Sequence, residues 1–128
     1  MRFTLFLLIA VLLGAQQLHA QPTTIPFNAD SIKRSSEAVK EANRLRMVDA
    51  TIRYFVIKAD SNTYGYSIYI DGKSYIHQTT IPATPGNRGF THIDKAEKTA
   101  LLVIEKIKQG EMPPTLTVDE LRQRKIIQ

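Results

Sequence analysis

The chain has 128 residues, 17 of them basic and 12 acidic, for a net charge of +5, and it contains no cysteine. Disulfides, thiol catalysis, thiolate metal sites and a lipid-modified cysteine are therefore excluded. The length suits one small domain, which must hold together by packing alone.

Met1-Arg2, an apolar run from Phe3 to Ala15 and the segment Gln16 to Ala20 carry the pattern of a secretory signal peptide at residues 1–20. The run falls short of the roughly 20 apolar residues that a spanning helix needs. Ala20 is the expected cleavage position, with Ala15 as the alternative. Cleavage removes Arg2 and lowers the net charge from +5 to +4. The expected product is soluble, in the periplasm or the medium, with no stable membrane anchor. The remaining basic residues interleave with acids at Lys95/Glu97/Lys98 and Glu105/Lys106/Lys108. Together with export, this mixture argues against a nucleic-acid partner.

Residues 21–47 read as a polar tether with a marginal helix, in which Ile32, Val39 and Leu45 are too sparse for a core-facing stripe. Ser35 or Ser36 is placed to cap that helix, which runs to Met47, with Glu37 and Glu41 near its positive end. A single small domain is expected over 48–125. Val48 to Lys58 is rich in Val, Ile, Tyr and Phe, and Thr63 to Ile70 alternates, so both are predicted strands. Tyr64, Tyr66, Ile68 and Ile70 share one face of the second strand, and Gly65, Ser67 and Tyr69 the other. Ala59 to Asn62 is turn chemistry, Asp71-Gly72 predicts a tight hairpin turn, and Lys73 to Ile81 is a third strand.

Pro82 to Gly89 is a loop by its two prolines and two glycines. Thr91, with Asp94 three residues on, predicts the cap of an amphipathic helix over 92–109 that buries Ala96, Ala100, Val103, Ile104 and Ile107. Gly110 ends it, Met112-Pro113-Pro114 links onward, and Thr117-x-x-Glu120 opens a short helix to about Lys125. Three strands cannot stand alone in water. The predicted fold is therefore α+β, a three-stranded antiparallel meander covered on one face by the long helix, with a short C-terminal helix.

Tyr64-Gly65-Tyr66-x-Ile68-Tyr69, Ile76-His77-Gln78, Ile81-Pro82, Pro85-Gly86-Asn87-x-Gly89-Phe90 and Asp94 to Lys98 resemble domain-of-unknown-function family 4907. That family consists of small, mostly exported proteins of the Bacteroidetes. The resemblance runs from about Met47 to Val118. Thr63-Tyr64 departs from it, because members more often carry Gly-Trp there, and the polar stretch before Met47 lies outside it. What the resemblance implies is an exported address and a fold, with no catalytic residue.

Three groups of residues are candidates for binding: Asn87 and Arg88 of the loop, the strand tyrosines Tyr64, Tyr66 and Tyr69, and the pair His77-Gln78. Gly86-Asn87-Arg88-Gly89 leads into a helix N-terminus, where backbone N–H groups and the Arg88 cation suit an anion. The same residues also suit a simple chain reversal, with Phe90 plugging the core. The second group is the dense set of strand tyrosines, of which Tyr64, Tyr66 and Tyr69 are the candidates. Those left on an uncovered face could bind peptide, glycan or another protein, or else stabilise the sheet by cross-strand pairing. His77-Gln78 lies mid-strand, where His77 could be an acid–base group or a partner for a backbone or hydroxyl group. No spacing suggests a metal site or any cofactor, and no G-x-S-x-G elbow flanks Ser67 or Ser74. The expectation is a non-enzymatic exported module that binds an envelope protein, peptide or glycan. The alternative is a small anion-binding protein or enzyme using the 82–90 loop through Asn87, Arg88 and His77.

Overall fold

The computed structural model describes residues 28–128, so the expected leader at 1–20 lies outside the described residues. Three antiparallel strands, β1 (Ile52–Ala59), β2 (Thr63–Ile70) and β3 (Lys73–Gln78), form one sheet in the order β1-β2-β3. The fold is the α+β meander. A 3-10 turn at Asp60–Asn62 joins the first pair, with Ser61 and Asn62 at positive φ, and the Thr63 hydroxyl closes it on the Asp60 carbonyl. Asp71 and Gly72, at φ 49° and 77°, make the second turn.

Both outer strands are shorter than their apolar composition predicts. β1 starts at Ile52 because Val48 continues the preceding helix as its C-cap, bonding to Leu45, and the next residues bridge helix to strand. β3 ends at Gln78 because the chain then leaves the sheet. Phe90 returns to take the vacated place, exchanging two backbone hydrogen bonds of 2.8 Å with Tyr64.

Helix α1 (Ala29–Met47) precedes the sheet and has no buried residue. Its cap is Asn28, whose side chain accepts from Asp30 N and Ser31 N. Ser35 and Ser36 lie within the helix instead of capping it. Their hydroxyls donate to the carbonyls of Ile32 and Lys33, so they fold back on the helix without ending it.

Helix α2 (Ile93–Lys108) packs across β1 and β2. Ala96 and Ala100 are small enough to let it approach the sheet, and Val103 and Ile107 complete the buried stripe against Tyr66, Ile68 and Phe90. Thr99 is the polar residue in that stripe, and its hydroxyl donates to the Lys95 carbonyl. The N-cap is His92, with no side-chain cap bond, so Thr91 does not cap. The helix starts one residue later than the capping pattern predicts. Asp94 then falls in the first turn, where it contributes by its charge.

Gly110 ends α2 with φ 86°, and Gly110 N and Glu111 N bond back to Ile107 and Lys106. The same glycine seats α1. A side chain there would strike the Lys40 carbonyl, and Asn43 donates to the Gly110 carbonyl. Helix α3 (Val118–Gln123) opens with the Thr117/Glu120 capping box and closes the core with Leu121, followed by Ile126. It stops at Gln123, two residues before the expected end, with Lys125 at positive φ.

Lys106 joins the two helix ends, lying 2.6 Å from Glu120 and 3.4 Å from Glu111. The hydrogen bond from Lys106, with those from Thr117, holds the Glu120 carboxyl below its ordinary value. Burial would lower Lys106, but the two carboxylates outweigh it and raise the amine.

Two outcomes follow from these contacts. Gly110→Ala should destabilise the protein by about 1–3 kcal/mol in denaturant unfolding, through strain at positive φ and collision with α1. Amide exchange should then rise most in α1. Because the folded Glu120 value lies below the unfolded one, its contribution is present above the ordinary value of 4.5 and is lost as pH falls through the depressed value. Glu120→Gln keeps the capping geometry without the charge, so its melting temperature should fall less steeply in acid than that of the wild type.

Candidate functional site

Cross-strand partners share a face of an antiparallel sheet. The register Arg53↔Tyr69, Phe55↔Ser67, Ile57↔Gly65 and Ser67↔His77 therefore places these residues on one surface, opposite the surface covered by α2. The covered surface carries Ile52, Tyr54 and Val56 against Ile70, Ile68 and Tyr66. Tyr54 is fastened there by a 2.6 Å hydrogen bond to Glu97 of α2. That bond raises the phenol above its ordinary value, with burial adding to the effect.

The open surface is shaped at one end by the chain leaving β3. The backbone of Gln78 and Thr79 crosses against Gly65 so closely that a side chain there would strike the Gln78 carbonyl. Ser67, next along β2, is 3% exposed, and its hydroxyl lies 2.9 Å from His77 Nδ1. The contact ties β2 to β3 across the face, and it leaves the serine hydroxyl shielded from solvent.

At the other end the surface is aromatic. Phe55 is 54% exposed and meets Tyr69 edge to face, with ring centres 5.7 Å apart at 85°. Beside them a cleft of about 410 Å³ is lined by Thr51, Arg53, Phe55, Tyr69, Asp71 and Gly72. Its rim is rigid, because Asp71 accepts from Thr51 N through its carboxylate and donates its own N–H to the Thr51 carbonyl. An exposed guanidinium, two aromatic rings and a fixed carboxylate suit a ligand with a flat or apolar body and polar substituents.

The seven predicted site residues are separated by this geometry. Tyr69 and His77 stand on the open face. Tyr64 and Tyr66 lie under the helix side, Tyr64 half-buried against the core and Tyr66 2% exposed within it. Gln78 is half-buried and donates both to the Thr80 carbonyl and to its hydroxyl. Asn87 and Arg88 are exposed on the loop, which Ile81 N closes by bonding to the Arg88 carbonyl. Phe90 is buried in the core, as the chain-reversal reading expects. Phe55 and Arg53 are the site residues that the tyrosine-centred reading passes over. Their signal was present in the sequence: alternation along Arg53-Tyr54-Phe55-Val56 puts them opposite Tyr54.

Among the described residues no three His, Asp or Glu side chains converge on a possible metal position, and no helix is long and apolar enough to cross a membrane. Residues 56–123, from the second half of β1 through α3, match the family described as Domain of unknown function (DUF4907). The chain belongs to this family. No curated protein and no solved structure matched it. The family match takes in Tyr69, His77 and the crossing at Gly65, while Arg53, Phe55 and α1 precede it.

Proposed function

We propose that the protein is an exported, non-enzymatic module that binds an envelope protein, peptide or glycan through the open face of its sheet. The observation that carries this reading is the exposed Phe55–Tyr69 pair beside the Arg53/Asp71 cleft. A solvated sheet face needs no large ring 54% exposed, and an aromatic patch with a polar rim is the usual form of a recognition surface. Export is supported by the basic start and the apolar run of the first twenty residues. The loop at 82–90 carries Arg88 as an exposed cation, which we assign to acidic substituents of an extended partner.

The binding half is tested by titrating protein carrying labelled aromatic rings with peptidoglycan fragments and with a library of extended peptides. The Phe55 and Tyr69 ring resonances should move together with that of His77. Phe55→Ala should weaken the best binder by about tenfold or more. It should cost only about 0.5–1.5 kcal/mol of stability, the worth of the lost ring pair. If no probe perturbs those rings, open-face recognition is refuted. For the export half, mass spectrometry of protein from the native cell should find the chain beginning at Gln21 or Gln16; intact Met1 on a cytosolic pool would refute it.

A further inference from the structure

A second cleft lies on the opposite side of the sheet, where the covering of the core changes hands. α2 packs across β1 and β2, so the inward flank of β3 is covered by the chain that follows α2. There Pro114 and Leu116 face Tyr75 and Ile76 around a space of about 330 Å³, with Pro82 of the loop at its rim. That volume is at the small end of the range for ligand cavities.

Tyr66 also lines this space. The residue is 2% exposed, and burial alone pushes its phenol up to about 12. The hydroxyl is therefore a protonated donor at neutral pH. It makes no hydrogen bond among the described residues. No buried side-chain oxygen or nitrogen among them is sealed off without a partner, so the Tyr66 hydroxyl keeps an opening, and the cleft is the space it lines. Gln78 on the same wall already commits its amide donor to Thr80. What remains is a mainly apolar slot lined by two phenols, Tyr75 exposed to solvent and Tyr66 buried. The buried one is an unengaged donor that water does not freely reach, and such a donor gains most from an acceptor brought in by a ligand.

We infer that this cleft binds a small, flat, mainly apolar molecule bearing one carbonyl acceptor, which the Tyr66 hydroxyl holds while Tyr75, Pro114 and Leu116 enclose its apolar body. The site is separate from the open face and goes beyond the role proposed for that face. Its chemistry selects by a single hydrogen bond: two molecules of one shape should be told apart by whether they carry the acceptor.

The test compares acetophenone with α-methylstyrene, in which a methylene replaces the carbonyl oxygen, by NMR titration of the full chain. Acetophenone should shift the resonances of Tyr66, Tyr75 and Leu116 and bind about tenfold more tightly than α-methylstyrene. Tyr66→Phe, which keeps the ring, should reduce that ratio to about one, and Leu116→Trp should fill the slot and abolish both titrations. Equal affinities in the wild type would overturn the inference without recourse to any variant. So would a ratio that survives Tyr66→Phe, or no shift with either probe. Shifts at Phe55 and Tyr69 in place of Tyr66 would assign the probe to the open face and would equally refute the second site.

Discussion

A three-stranded sheet has two faces, and the described residues offer one long amphipathic helix, α2, with which to cover them. That inequality governs the rest of the molecule. Ile68 and Tyr66 of the central strand can leave water only on the side where α2 lies, and Phe90 and Leu121 complete the same layer. On the other side no helix lies, and only the stretch of β2 at Gly65 and Ser67 is shielded there, by the chain leaving β3 and by His77. Arg53, Phe55 and Tyr69 are exposed or half-exposed because nothing covers that part of the sheet.

Helix α2 is also too narrow for the sheet it covers. It spans β1 and β2, and the third strand is roofed by the proline link and Leu116. A roof of two prolines cannot interdigitate with β3 as a helix stripe does, because its backbone is extended and its side chains are short and stiff. The Tyr66 cleft is the space this leaves. Both candidate sites thus come from one shortage of covering surface, expressed on opposite sides of the sheet and with different chemistry: a charged aromatic shelf outside and a small, mainly apolar slot over the buried Tyr66 phenol inside.

The ends of α2 and α3 are held by a different device. Lys106 lies between Glu111, just after the α2 terminus, and Glu120 in the capping box of α3. Gly110, at the same corner, receives α1. Three helices and the proline link are therefore adjusted to one another within a few residues. α1, which has no fully buried residue and lies outside the family match, is attached through this corner and through half-buried Met47 against the core. Its order is local in origin: an Asn28 cap, the Arg44–Glu41 pair and good helix-forming residues.

The amino-acid sequence by itself determined the features that depend on short-range chemistry. The three strands, both connecting turns, the Gly110 stop and the Thr117/Glu120 capping box are each legible within a few residues, because backbone conformation there is set by side chains next to it. Alternation likewise sorted Tyr64 and Tyr66 from Tyr69. Only the tertiary structure decided which of those faces the helix covers, that Phe90 and not Thr80 pairs with Tyr64, and that Phe55 stands next to Tyr69. These are contacts between residues far apart in the chain. Their choice depends on how much surface one helix can bury, a quantity that no local pattern encodes.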